Sequence, residues 1–148
     1  VIALKSEPSV ARTLALLMSD LCRQVPLLRS TLIVPVPLHF EREQQRGFNQ
    51  AAILAQTLAK MVSLPVSDSA LIRIRHTGLH RAGMDAQARR ESVEHVFAVS
   101  QPRLIRGEHV LLVDDVFTTG ATASACARVL LAAGAKEVLV LTLARPAS

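Results

Sequence analysis

The sequence predicts an α/β protein: a parallel sheet with helices on both faces. Three observations carry this expectation. Half of the 148 residues are hydrophobic while aromatics make up only 3%, so the core must be built from Ala, Val, Leu and Ile, the residues of helices packed on a buried sheet. Short apolar or β-branched runs at Thr31-Leu32-Ile33-Val34, His109 to Val113 and Val138 to Leu143 alternate with stretches of helical periodicity. The last two runs flank a single alanine-rich helix, and strand, helix, strand in quick succession makes a parallel unit with a right-handed crossover. A chain of this length supports one domain with one sizeable core.

Taken in order, Val10, Leu14, Leu17 and Leu21 repeat at three and four residues. They predict an amphipathic helix from Ser9 to about Gln24, with Ser9 as its N-cap and Pro26 just past its end. Thr31 to Val34 is a strand closed by Pro35-Val36-Pro37, which runs into a loop of fixed φ. Arg42, Arg46 and Gly47 lie in that loop, and Phe48 to Val62 reads as a second helix capped by Asn49. Ala70-Leu71-Ile72 is a weaker strand. From Arg73 to Val93 periodicity dissolves into arginines, glycines and histidines, which predicts a mobile basic loop with a short helix near Asp85 to Arg90. Val96 to Val99 is a short strand. His109 to Val113 is a continuous apolar run ending in Asp114-Asp115, Ala121 to Ala133 is a helix stopped by Gly134, and Val138 to Leu143 is the last strand.

The net charge is +5, and with only Lys5, Lys60 and Lys136 as lysines the basic excess is arginine. Arginine prefers bidentate oxyanions, which makes phosphate the first ligand class to test against the plainer reading of a solvated basic surface. No apolar run is long enough to span a bilayer, so a cytoplasmic protein without membrane association is the expectation. Cys22 and Cys126 lie far apart with no CxxC and no Cys/His cluster, as buried free thiols do. The chain opens at Val1 without a methionine, as expected of a fragment or trimmed chain.

The chemistry concentrates between Val110 and Thr122. Two carboxylates, Asp114 and Asp115, stand at the carboxyl end of a buried strand, and Thr118, Thr119, Gly120, Ala121 and Thr122 open the next helix. Open α/β sheets bind ligands at that edge. A turn of this composition aims several backbone N–H groups at one point, and the helix dipole adds partial positive charge, so it holds a phosphate without any lysine. The missing lysine also excludes a Walker A loop. Like charges repel, so the aspartates do not hold phosphate; they accept hydrogen bonds from vicinal sugar hydroxyls, directly or through a metal ion. A ribose 5-phosphate meets both halves. A bare N-cap beside a solvated loop would need one hydroxyl, not this convergence of carboxylates, hydroxyls and glycine.

These residues carry a resemblance. Val113-Asp-Asp-Val-Phe-Thr-Thr-Gly-Ala-Thr122 resembles the 5-phosphoribosyl 1-pyrophosphate (PRPP) binding motif of type I phosphoribosyltransferases. Val34-Pro-Val-Pro-Leu-His39 with Arg46-Gly-Phe-Asn-Gln50, the Arg73-x-Arg75-x-Thr77 start and the Arg90 to Phe97 end of the basic loop are similar to the ComF/GntX family. The likeness runs from Leu4-Lys5 to Ala144-Arg145. It implies one phosphoribosyltransferase-like domain over 1–148, with 1–30 as a helical hood or lead-in, 31–148 as the PRPP-binding core and 76–92 as a flexible basic loop. Asp114 and Asp115 would be the catalytic pair on the ribose hydroxyls and Thr118, Thr119, Gly120, Ala121 and Thr122 the 5-phosphate site. Leu38, His39, Arg42 and Arg46 would hold pyrophosphate, and Arg81, Arg89 and Arg90 would belong to the lid. Two arginines in a proline-flanked loop suit a leaving pyrophosphate on physical grounds as well, against the plainer reading of a solvated surface loop. No direct protein metal site is expected; Mg2+ enters with PRPP beside Asp114 and Asp115. His80 stands where the family commonly has glutamine and Ser92 where it commonly has asparagine, and the four-cysteine zinc module often found upstream is not in this sequence.

The function implied is a PRPP-binding protein that transfers or recognises a 5-phosphoribosyl group, in the first case as a pentosyl glycosyltransferase of nucleotide metabolism. The alternative is a non-catalytic ComF-type accessory of competence and single-stranded DNA uptake, with competence proteins or the strand itself as partners and the pocket kept as a nucleotide sensor. An arginine-rich loop suits a phosphate backbone, while the scarcity of aromatics argues against a base-stacking platform.

Overall fold

The computed structural model describes residues 8–22, 27–38, 47–74, 96–116 and 119–144. In chain order the elements are α1 (Pro8–Cys22), a 3-10 turn (Leu27–Arg29), β1 (Leu32–Pro35), α2 (Gln50–Val62), β2 (Leu71–Arg73), β3 (Phe97–Val99), the one-turn α3 (Pro102–Ile105), β4 (His109–Val116), α4 (Ala121–Ala132) and β5 (Glu137–Ala144). Helix α1 starts one residue before the expected cap: Ser9 lies inside its first turn, because Pro8 has the fixed φ and missing N–H that a first turn accepts. Asn49 caps α2 as expected, its side chain accepting from the N–H groups of Ala51 and Ala52. Arg73, expected in the basic loop, is the last residue of β2. The loop from Arg75, with Arg81, Arg89 and Arg90, lies outside the described residues, as do His39, Arg42, Arg46 and Thr118.

Strands β1, β4 and β5 form a parallel sheet in that order. Beyond β1, Val66 forms a parallel bridge with Ile33, held by Ile33 N–H to Pro65 O at 2.9 Å and Ser67 N–H to Ile33 O at 3.0 Å. Alternation along these strands feeds two cores. Ile33, Leu111, Val113 and Leu141 pack with Met18 of α1 and Leu54 and Leu58 of α2. Leu32, Val34, Val110 and Leu112 pack with Ala123, Cys126 and Leu130 of α4. Helices therefore cover both faces, which is why β4 reads as an unbroken apolar run rather than an alternating one.

Strands β2 and β3 pair antiparallel, with Arg73 opposite Phe97 and Leu71 opposite Val99, and Ile74 N–H extends the ladder to Val96 O. Leu71 and Phe97 join the α4-side core. At the amino edge of the main sheet Glu137 takes Arg29 at 2.6 Å and His109 Nδ1 at 3.2 Å. These bonds tie the lead-in to β4 and β5 and hold the Glu137 carboxyl below its usual range, chiefly through the bond with His109. His109 thus serves the sheet end opposite the aspartates.

Candidate phosphoribosyl site

Strand β4 carries the site. Its ladder with β5 continues past the apolar run, with Asp114 opposite Thr142 and Val116 opposite Ala144. Both aspartates therefore belong to the strand itself rather than to a loop after it. Alternation puts Asp114 on the α4 face with Val110 and Leu112, and Asp115 on the opposite face with Leu111 and Val113. The two carboxylates straddle the carboxyl edge of the sheet.

Both are half-buried. The Asp115 N–H donates to Asp114 Oδ1 at 2.9 Å, which fixes the Asp114 carboxylate against its own backbone. Burial, partly offset by that hydrogen bond and reinforced by the charge of Asp115, pushes the Asp114 carboxyl from 3.8 up to about 6. On the inner face of α4, on the same side of the sheet, lies Cys126, a fully buried free thiol. Burial, and after it the charge of Asp114, pushes this thiol up to about 12. It is a core residue and no nucleophile.

The turn into α4 has the backbone that the motif requires. Gly120 sits at φ 77° and ψ −3°, the left-handed region where side chains are strained. The first intrahelical bond runs from Ser124 N–H to Gly120 O at 2.9 Å, so the N–H groups of Ala121, Thr122 and Ala123 have no acceptor within the helix. Thr119 Oγ1 accepts from Ala121 N–H at 3.3 Å. The Thr119 hydroxyl is thus a cap as well as a candidate phosphate ligand. Helix α4 packs on the face of the sheet on which Asp114 stands, and the remaining first-turn N–H groups and the positive end of the helix dipole lie at its start.

Of the residues expected from sequence, Asp114 lies near the end of β4 on the face that α4 covers, and Thr119, Gly120, Ala121 and Thr122 open α4; residues 117–118, which join them, lie outside the described residues. Asp115 is adjacent in sequence but on the other face, the one that α1 and α2 cover. Leu38 leaves the end of β1 at the same carboxyl edge. Two contributors were not legible beforehand. Arg73 shares the inward face of the hairpin with Leu71, its guanidinium 5.3 Å from the centre of the Phe97 ring, and its charge is felt at Cys126. Its sequence signals were its place at the start of the basic loop and in the Arg73-x-Arg75-x-Thr77 stretch. Asn49 was read as a cap, but its amide also donates to Val36 O at 3.0 Å. Among the described residues no group of three or more His, Cys, Asp or Glu side chains is arranged to hold a metal ion, and no helix is long and apolar enough to cross a membrane.

Residues 44–148 match the phosphoribosyl transferase domain model. The chain belongs to that family. It is 35% identical over 138 residues to Competence protein F of Haemophilus influenzae, covering 93% of this chain and 60% of that protein. It is 36% identical over 113 residues to the DNA utilization protein YhgH of Escherichia coli K12, covering 76% and 48%. These relatives support the ComF resemblance read from the sequence. The chain spans about half the length of the curated relatives it matches. Among solved structures, the glutamine PRPP amidotransferase of B. subtilis, in complex with ADP and GMP, superposes with a TM-score of 0.65 at 20% identity, over 92% of this chain and 26% of that one. That likeness establishes a phosphoribosyltransferase-type fold.

Proposed function

We propose that this chain binds a 5-phosphoribosyl ligand, PRPP in the first instance, and transfers or recognises its phosphoribosyl group together with Mg2+. The observation that supports the reading is the placement of Asp114 and the start of α4: a half-buried carboxylate near the end of a parallel strand, on the face that α4 covers, and a left-handed glycine ahead of the first-turn N–H groups of that helix. The N–H groups of Thr122 and Ala123, with the Thr119 hydroxyl, hold the 5-phosphate, and Asp114 accepts from a ribose hydroxyl. Asp115 reaches the ligand over the carboxyl edge from the other face of the sheet. Two half-buried carboxylates at one strand end, Asp114 and Asp115, suit a cation carried by the ligand's own oxygens, as its outer partners. When bound, that ion neutralises the charge of the departing pyrophosphate. No side chain of the site needs to act as a nucleophile; positioning and charge stabilisation suffice. Leu38, His39, Arg42 and Arg46 are the proposed pyrophosphate group, and Arg81, Arg89 and Arg90 the lid. An intracellular metabolite as ligand implies a cytoplasmic protein.

The test is calorimetry of the full chain with PRPP and Mg2+, and separately with ribose 5-phosphate. One-to-one binding of both is expected, and silence with both refutes the reading. A screen of bases and amines for pyrophosphate release then separates transfer from recognition. The names of the relatives favour a second reading, an accessory of competence and DNA use in which competence proteins or single-stranded DNA are partners. Tight, steeply salt-dependent binding of a labelled oligonucleotide, weakened in an Arg81, Arg89 and Arg90 to Ala variant and accompanied by no PRPP binding, would put that reading first.

A further inference from the structure

Helix α1 is apolar on two sides. Its inner side is Leu14, Ala15 and Met18, which belong to the core shared with Leu54 and Leu58 of α2 and Leu141 of β5, together with Ser19, whose hydroxyl donates back to Leu16 O at 2.8 Å. Leu17, which the repeat with Val10, Leu14 and Leu21 predicts on the core face, faces outward instead: it is 61% exposed, and Leu16 beside it is 50% exposed. These are the two most exposed large apolar side chains among the described residues, and they are neighbours. A helix that packs on one core needs one apolar stripe and keeps its other face polar. The outer face of α1 has a pattern of its own. Arg12, Leu16 and Asp20 follow at four-residue spacing and so form one row, with Thr13 and Leu17 in the row beside it, and all five are exposed. Among the described residues neither Arg12 nor Asp20 takes an ion pair.

This row is complementary to itself. Leu16 lies midway between a cation and an anion, each about 6 Å away along the helix axis. When two such helices pack antiparallel about a two-fold axis at Leu16, Arg12 of one copy comes level with Asp20 of the other, twice over, and the exposed leucines of both copies are covered at the centre. Parallel packing would instead set arginine beside arginine and aspartate beside aspartate. We propose that the outer face of α1 is a homodimer surface, on which a second copy of this chain packs its own α1 antiparallel. A two-fold contact uses the same patch on both copies, so one sequence has to supply both members of every pair, and Arg12, Leu16 and Asp20 do so. A face of 15 residues is about 22 Å long and one helix wide, less than the ~800 Å² per partner of a standard stable interface, so the dimer is weak and reversible. Nothing in this contact depends on the phosphoribosyl ligand.

The experiment is sedimentation velocity of the full chain from micromolar to near-millimolar concentration, on the wild type, Arg12→Glu, Asp20→Arg, an equimolar mixture of those two, and the double variant Leu16→Glu/Leu17→Glu. Each charge reversal leaves one sign at both ends of the row, so its own homodimer meets repulsion twice, whereas in the mixture the two chains carry opposite signs and both pairs form again. The wild type should show a monomer–dimer equilibrium that weakens with added salt. Dimerisation should be at least about tenfold weaker in each charge variant alone, return in the mixture as a heterodimer, and be lost in the leucine variant. All four positions are exposed, so melting temperatures near that of the wild type are expected, and thermal unfolding checks this. A wild type that stays monomeric throughout overturns the proposal and leaves the face to another partner or to none. A dimer that survives Leu16→Glu/Leu17→Glu overturns it too, as does a mixture no more dimeric than its two components, since the contact then lies elsewhere on the chain.

Discussion

Asp114→Asn is the substitution whose outcome follows most directly from the structure. Asp114 continues a strand whose residues from Val110 to Val113 are fully buried, and burial is the main reason that its carboxyl is pushed from 3.8 to about 6. In the unfolded chain the group titrates near its ordinary value. Between about pH 4 and 6 the folded protein therefore holds a proton that the unfolded chain has released, and this residue makes stability fall as pH rises through that window and stay low above it. The whole shift corresponds to about 3 kcal/mol; water reaching a half-buried carboxylate screens this to about 1 to 2 kcal/mol. Asparagine keeps an oxygen for the Asp115 N–H, now 2.9 Å from Oδ1, and removes the charge.

At pH 7.5 the variant should be more stable than the wild type by about 1 to 2 kcal/mol, melting roughly 2 to 8 °C higher, and at pH 4 the two should coincide. The assay is urea unfolding followed by far-UV circular dichroism from pH 4 to 8 on both proteins. Every other titrating group is common to the pair, so the difference isolates Asp114. An asparagine variant less stable than the wild type at pH 7.5, or a difference that is constant across the range, would refute the reasoning. The same variant should bind PRPP more weakly by about 1 to 3 kcal/mol, the scale of a charge-assisted hydrogen bond. Stability gained where binding is lost is the pattern expected of a carboxylate kept for its ligand rather than for its fold.

In the proposed complex ribose hydroxyls would donate to the ionised form of Asp114, so PRPP affinity should rise with pH through about 6 with release of a proton; calorimetry in two buffers of different ionisation heat, set against Asp114→Asn to remove the ligand's own titration, checks this, and identical proton release in both proteins denies it. Gly120→Val forces a β-branched residue into φ 77° at the phosphate turn, and should abolish binding of ribose 5-phosphate and PRPP alike with the helical circular dichroism retained; wild-type affinity for either ligand would reduce the turn to a cap. Cys126, fully buried and with its thiol near 12, should react with a disulfide reagent at pH 8 only as fast as the protein unfolds, and rapid labelling in the native state would contradict its burial.

What could be read from the sequence and what could not divide along the range of the interactions. The βαβ unit and the Asn49 cap depend on residues within a few positions of one another, and the apolar run of β4 announced a strand buried on both sides. The apolar run itself ends at Val113, and the aspartates at its carboxyl end have a low strand preference, yet the strand goes on. It continues because β5 offers its ladder as far as Ala144, opposite Asp114 and Val116, and the partner strand prevails over local preference. The antiparallel pairing of β2 with β3 was hidden for the converse reason. Leu71 and Val99 meet across a long polar insertion with no hairpin turn to mark it, so nothing local sets the register, which is fixed instead by the shared burial of Leu71 and Phe97 against α4. The second bond of Asn49 is of this kind too: the cap oxygen is a property of the helix start, whereas the amide finds its partner only once β1 lies beside β4. The strand and turn that carry Asp114 and Gly120 can be read residue by residue, but the relative placement of the segments around them is a product of the sheet.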